Sequence, residues 1–364
     1  MLAHLWRRFS AHFDGYLMLG LLTLMAVGLI TLYSASTRDM DRLMGQVTNM
    51  SVALVAMWLV ANIAPQNLAR LAVPLYLVGL GLLVGVAMFG VVINGARRWL
   101  DIGIAQIQPS ELMKIGVPLA LAWYFGKREA TLNLFDFIAA FIILIIPVGL
   151  VMRQPDLGTS LLIASSGFFV LFFAGLSWRV IAGLAVVVAA SLPVAWSLMH
   201  EYQRTRVLTL IDPAQDPLGA GYHTLQAMIA IGSGGLTGKG WLSGTQSHLD
   251  FLPERSTDFI FAVFSEEFGL VGNLLLLLLF FLITSRGFFI AMHAPTLFSR
   301  VLAGSITLTF FIYAFVNMGM VSGILPVVGV PLPLISYGGT SMVTLLIGFG
   351  ILMSIATHKK LVQT

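Results

Sequence analysis

Ten apolar runs, each about twenty residues long and closed by a short polar break, leave this 364-residue chain few folds to choose from. They fall at 15–34, 45–62, 71–92, 108–125, 135–152, 158–175, 178–199, 258–284, 299–321 and 340–357. A helix of ~20 apolar residues crosses the hydrocarbon of a bilayer, where only helices and closed barrels satisfy every backbone polar group. The pattern predicts an all-α polytopic membrane protein of about ten transmembrane helices, with residues 1–364 as a single membrane domain. Composition agrees, with 58% hydrophobic and 10% charged residues, against about 25% charged in a soluble domain. The net charge of +4 is no nucleic-acid signal, because Lys and Arg sit in short loops between apolar runs. With no cysteine, disulfides, thiol redox chemistry and Cys-based metal sites are excluded.

Residues 1–14 mix Trp6, Phe9 and Phe13 with Arg7 and Arg8, as an interfacial segment does. The basic start and Ser34-Ala35-Ser36 mimic a signal peptide, but the apolar core between them is too long. Arg7, Arg8, Arg70, Lys127, Arg128, Arg179, Arg286, Arg300, Lys359 and Lys360 fall on one side of the membrane, against Arg38, Arg42, Arg97, Arg98 and Arg153 on the other. The richer side is cytoplasmic. Both termini then lie inside, and the large 200–257 loop between helices seven and eight lies outside. Of the 16 acids, only Asp14, Glu129 and Asp136 fall inside, so polar chemistry gathers at the extracytoplasmic face. Within the large loop, Ala220–Ile231 has helical spacing and is expected as a short helix on the membrane surface. No tandem repeat is evident.

The segment from Ser247 to Gly272 runs from the longest polar stretch into an apolar one. Asp258 stands at that boundary behind Glu254, Arg255 and Thr257. Glu266 and Glu267 follow roughly 12 Å deeper if the segment is helical. Ionisable groups entering a membrane point to function, although a carboxylate at a helix start also suits the helix dipole. Gly232–Gly240 imitates a nucleotide-binding loop, but Gly238-Lys239 is followed by Gly240 where Ser or Thr is required. Lys239 remains a candidate point-charge contact for a phosphate.

Before the fourth run, Arg97, Arg98 and Trp99 suit headgroup anchoring, and the two guanidiniums also suit bidentate phosphate binding. Pro109 opens a helix whose first turns carry Glu111 and Lys114 on one face, read as a mutual ion pair beside a polar cavity. Arg153 and Asp156 are read as a second polar pair, with Asp156 capping the next helix. Asn317–Ser341 contains three prolines and five glycines. Irregular backbone at membrane depth must be buried in protein or line a cavity, so this segment is expected to be re-entrant and closed by Ser336-Tyr337-Gly338-Gly339. The seven histidines are scattered, and no HExxH or Ser-His-Asp pattern occurs. Asp258 with Arg97, Arg98, Arg153, Lys239 and Arg255 suits transfer from a phosphate-leaving, lipid-borne donor to a hydroxyl acceptor.

Four motifs, NGARRWLDIG…QPSELMK, RQPDLGTS, FLPERSTDFIFAVFSEEFG and GILPVVGVPLPLISYGGTS, cover most of the chain. In them it closely resembles the SEDS family (shape, elongation, division and sporulation), nearest its elongation branch. The resemblance implies a ten-helix peptidoglycan glycosyltransferase in the bacterial cell (inner) membrane, its site facing the periplasm or cell exterior. Such enzymes polymerise lipid II by β-1,4 linkage and release undecaprenyl diphosphate. It implies Asp258, in Thr257-Asp258-Phe259, as the essential catalytic residue and general base. It maps the family's ion pair to Lys114 and Glu111, with Asp156 beside them. Arg97, Arg98, Trp99, Glu111, Lys114, Arg153, Asp156, Lys239, Glu254, Arg255, Thr257, Ser336, Gly338 and Gly339 are the candidate substrate contacts. The implied partners are a class B penicillin-binding protein, the elongation proteins MreC and MreD, and membrane lipid. A divalent cation, Mg or Mn, is left open. A lipid II flippase and a scaffold for the penicillin-binding protein are the competing readings. A transporter site belongs near the midplane, whereas these polar residues gather at one surface.

Overall fold

The computed structural model describes residues 13–93, 96–101, 106–129, 132–154, 156–199, 201–211, 220–248 and 254–358. The interfacial segment expected at 1–14, apart from its last two residues, lies outside them, as do Lys359 and Lys360. The chain runs through α1 (Gly15–Ala35), α2 (Met40–Ala61), α3 (Pro65–Phe89), α4 (Pro109–Gly126), α5 (Leu134–Met152), α6 (Leu157–Phe173) and α7 (Trp178–Leu198). It continues with α8 (Glu201–Ile211), α9 (Ala220–Ser233), α10 (Thr245–His248), α11 (Ile260–Met292), α12 (Leu297–Val321) and α13 (Thr340–Thr357). A helix therefore occupies each apolar run. Among the described residues, seven helices are long and apolar enough to cross a membrane: α1, α2, α3, α5, α11, α12 and α13. The protein is a multi-pass membrane protein. α6 and the apolar part of α7 are shorter, and α4 carries Glu111 and Lys114 in its first turns.

Caps and prolines, rather than apolarity, set the helix starts. α2 begins at Met40, five residues before its apolar run, because the Asp39 carboxylate accepts the backbone N–H groups of Asp41 and Arg42 at 2.9 and 3.2 Å. α3 begins at Pro65, a residue suited to the first helical position. α5 opens on a reciprocal capping box between Asn133 and Asp136. The core runs through the one-sided stripe Leu17, Leu21 and Leu24 of α1. It continues with Met113, Val117 and Leu121 of α4, Val301 and Leu302 of α12, and Leu346 and Phe349 of α13, all buried. Apolar residues such as Leu77, Ile142, Leu275 and Phe281 face outward, as a bundle solvated by lipid requires.

The chain is not purely helical. Three short strands, β1 (Val91–Ile93), β2 (Ala96–Asp101) and β3 (Gln106–Ile107), form a small antiparallel sheet, with Val91 opposite Trp99 and Leu100 opposite Ile107. In the sequence, Asn94-Gly95 between two apolar-edged segments is a hairpin signal.

The larger departure lies in the 200–257 region. α9 packs against α11 and α12 and buries Ala227 and Ala230. The glycine-rich turn after it enters a break in α11 at Gly269, whose φ is 64° and ψ −162°. The broken ladder is refilled from the turn. Leu270 N–H donates to the Gly235 carbonyl (2.9 Å) and Val271 N–H to that of Leu236 (3.0 Å). In return, Lys239 and Gly240 N–H groups donate to the carbonyls of Glu266 and Glu267, both at 3.0 Å. Two residues at this crossing require glycine. A Cβ on Gly238 (φ +80°) would lie 2.1 Å from the Glu267 oxygen, and one on Gly269 2.3 Å from the Gly238 nitrogen. Gly238→Ala should therefore lower the apparent unfolding midpoint in detergent, by roughly 1–3 kcal/mol of stability. Gly232→Ala, in the same segment but with no heavy atom within 4 Å of its Cβ, should leave it unchanged or slightly raised.

Candidate functional site

Asp258 lies in the turn leading into α11, half-buried. Three neighbours grip the main chain around it. Asn317 of α12 donates through Nδ2 to the carbonyls of Asp258 (2.9 Å) and Val330 (2.7 Å). The Ser336 hydroxyl donates to the Thr257 carbonyl at 2.6 Å and accepts the Leu332 N–H at 2.8 Å. Tyr337 N–H donates to the Ser256 carbonyl at 2.8 Å. The proline- and glycine-rich segment between α12 and α13 is thus folded back against Asp258, as its broken pattern requires. Gly329 (φ +71°) faces the carboxylate, and a Cβ there would stand 3.4 Å from Asp258 Oδ2. α2 supports the far side of this segment. Buried Gln46 donates to the Ser336 carbonyl (3.0 Å) and accepts the Gly338 N–H (3.2 Å). Arg42 donates to Ser256 Oγ at 3.1 Å, and its guanidinium lies 5.6 Å from the Tyr337 ring centre. Gly338 and Gly339 permit this approach; a Cβ on Gly339 would lie 3.2 Å from Asn49 Oδ1.

A second group of side chains joins the same wall. Asp156 caps α6 by accepting the Thr159 N–H at 3.1 Å, with Gln108 Nε2 at 3.3 Å and Arg98 Nε at 3.9 Å. Its partner is Arg98 of β2, not Arg153, which ends α5 exposed to the surroundings. Gly158, one turn into α6, lets the Val328 carbonyl approach to 2.8 Å from where a Cβ would sit. The Arg98–Asp156 pair is thereby continuous, through Val328 and Gly329, with Asp258.

The expected Glu111–Lys114 pair is present at 2.6 Å, with side chains 13% and 9% exposed. Lys114 also lies 5.4 Å from the Tyr313 ring centre, and Tyr313 packs with Leu162 and Val330. The cavity beside Lys114 and Tyr313 is about 40 Å³, room for water rather than a sugar. Glu111 and Lys114 therefore brace the wall under Val330.

Two other candidates receive different roles from those expected. Lys239 is held in a 2.7 Å ion pair by fully buried Glu266, whose Oε1 also takes the N–H groups of Thr245 (2.8 Å) and Gln246 (3.1 Å) and the Thr245 hydroxyl (3.0 Å). A buried carboxylate must be paired, and Lys239 supplies that partner at the α11 break. Glu267 accepts the Ser34 hydroxyl of α1. Ser336 is buried, with both capacities of its hydroxyl used internally. Glu254 (φ +54°) binds the Thr257 hydroxyl at 2.8 Å, and Arg255 reaches Thr37 Oγ1 at 3.3 Å. Arg97 is exposed and Trp99 half-buried on β2. Gln46 and Asn317 were not singled out from the sequence, although an amide within an apolar run is itself a signal. Among the described residues no three His, Asp or Glu side chains form a metal-ligating group.

An apolar cavity of about 320 Å³ borders this site, lined by Val148 and Met152 of α5, Leu161 and Ala164 of α6, Val207 of α8, and Val328. Beside it α7 is exposed at Val186, Val187, Val188, Leu192 and Val194.

Removing Lys114 alone should be severe, because Glu111 would be left buried without its cation. Lys114→Ala is expected to lose about 3–5 kcal/mol. Lys114→Met combined with Glu111→Gln should recover most of that, read as the shift in unfolding midpoint of the purified protein. Additive losses would argue against the pairing.

Comparison with known proteins completes the description of the site. The FtsW/RodA/SpoVE model, described as a cell cycle protein, matches residues 15–361. The peptidoglycan glycosyltransferase MrdB of Escherichia coli strain K12 is 52% identical over 355 residues, covering 97% of this chain and 96% of that protein. A chain solved in a study of polymerization and crosslinking by a peptidoglycan synthase complex superposes with TM-score 0.82 at 33% identity, covering 94% of this chain and 97% of its own. The crystal structure of Thermus thermophilus rod shape determining protein RodA gives TM-score 0.72 at 31% identity, covering 94% and 96%.

Proposed function

The chain belongs to the FtsW/RodA/SpoVE family, and from that premise we propose that it is a peptidoglycan glycosyltransferase that polymerises lipid II, with Asp258 as its general base. The observation that carries the assignment of the base is the setting of Asp258. Its main chain is clamped by Asn317, beside a glycine with no side chain to cover the carboxylate. A base must be held still and remain reachable. Asp258 takes the proton of the acceptor sugar hydroxyl as that oxygen bonds to the anomeric carbon of the donor. The bond from that carbon to the diphosphate breaks, and the diphosphate leaves with its electron pair. Arg97, Arg98, Arg153 and Arg255 are the candidate cations for the departing charge, with Arg98 shared with Asp156.

The apolar cavity ending at Val328 suits the proximal part of a prenyl tail, which would enter laterally past α7 and bring its head to Gly329 and Asp258. The Lys and Arg distribution supports ten crossings, cytoplasmic termini and an extracytoplasmic site in the bacterial inner membrane. Crosslinking of the product belongs to a partner. A class B penicillin-binding protein fits that need, within an assembly that includes MreC and MreD.

The assay is chain growth from labelled lipid II by the purified protein with its cognate penicillin-binding protein, transpeptidation being blocked. Asp258→Asn should reduce polymer by at least roughly a hundredfold, the low end of what a general base contributes. Undiminished glycan chains from Asp258→Asn would remove the base. Lost translocation of lipid II with polymerisation intact would move the protein to the flippase class.

A further inference from the structure

A cavity of about 920 Å³ lies at the end of the bundle opposite Asp258, and no step above uses it. It forms where the α2–α3 turn, the end of α4, the start of α12 and the end of α13 meet. Its rim carries two cations. Arg70, on α3, is exposed and makes no ion pair among the described residues. Lys127, which ends α4, has its ammonium 4.6 Å from the ring centre of Trp123, a contact that holds the charge at the opening. The interior is different in kind: Trp123, Phe298 and Ile355 wall it with apolar surface. One acid, Glu129, shares the rim; it is exposed and takes neither cation as a partner. Behind Arg70 the first turn of α3 has Ala64 at its cap position and no side chain on its N–H groups, so its positive end adds to the same field.

A soluble anion would use the cations and leave the apolar wall idle; a neutral lipid would do the reverse. A phosphate carried on an acyl chain uses both. Basic pockets between transmembrane helices are a recurrent form of lipid-headgroup site, and the volume lies within the range of about 300–1,000 Å³ usual for small-ligand sites. We propose that this cavity binds an acidic phospholipid from the leaflet at that end, the cytoplasmic one in the orientation proposed above. Its phosphate sits between Arg70 and Lys127, and an acyl chain runs along Trp123, Phe298 and Ile355. Because the cavity is shared by four helix ends, occupancy ties α3, α4, α12 and α13 together and stabilises the bundle by an amount that rises with the logarithm of ligand concentration once that exceeds the dissociation constant.

The test uses the full chain, purified in detergent and stripped of lipid. Thermal midpoints are read while phosphatidylglycerol, phosphatidylcholine of the same acyl chains, undecaprenyl phosphate or inorganic phosphate is titrated in. Native mass spectrometry counts retained lipid independently of stability. Phosphatidylglycerol should raise the midpoint and remain bound, phosphatidylcholine much less. The double variant Arg70→Gln/Lys127→Gln should bind phosphatidylglycerol roughly thirtyfold more weakly, given about 1 kcal/mol per basic residue at a lipid surface. Arg179→Gln, on the same side but outside the cavity, should not. Equal retention by the double variant would overturn the site, and an equal response to phosphatidylcholine, whose phosphate is neutralised by its own choline, would overturn the preference for an acidic headgroup. The same rise with inorganic phosphate would make it a soluble-anion site, and a rise with undecaprenyl phosphate alone would give it to the prenyl carrier, each in place of a phospholipid.

Discussion

A backbone amide or carbonyl left without a partner in hydrocarbon is penalised by several kcal/mol, and this constraint decides where the chain may stop being helical. It stops in two places within the bundle. At Gly269 the ladder of α11 opens, and the backbone of residues 235–240 supplies the missing donors and acceptors. Between α12 and α13 it opens again, and there side chains do the work: Asn317, Ser336 and Gln46 each serve two main-chain groups. Asp258 sits at the meeting point of these repairs, at the start of the helix that is broken and against the segment that is not helical.

The acids near the start of α11 are sorted by the same rule. Glu266 is surrounded by four donors on one oxygen and Glu267 is taken by Ser34, so both are absorbed into structure. The clamps described around Asp258 seize its main chain, and Gly329 lies beside its carboxylate. Lys114 and Glu111 act at one remove, through Tyr313 and Val330. A charge pair beneath the wall fixes the wall, while Asp258 is carried on top of it.

What could be read from the sequence was what is local. The apolar runs locate the helices, the three-residue spacing of Glu111 and Lys114 pairs them, and the density of proline and glycine after Asn317 announces a broken segment. What could not be read depends on distant partners. Nothing near Lys239 says that Glu266, 27 residues on, will claim it. Nothing near Asp156 chooses Arg98 over Arg153, its closer neighbour in sequence. Polarity alone put 220–248 in a loop between membrane spans, with 220–231 as a surface helix. The sequence does hold the glycines that let this segment approach α11, but they acquire meaning only once Gly269 is known to face Gly238.

That crossing also bears on how the protein is made. Residues 233–240 leave the ribosome before 266–271, so the segment that fills the gap in α11 is synthesised before the gap exists. Until α11 has entered the bilayer, the glycine-rich turn has no partners at membrane depth and must wait in water with its amides hydrated. Seating it is then a late step of biogenesis, taken after insertion by a chain already threaded through the membrane, and the turn leading to Asp258 is completed only when that step is done.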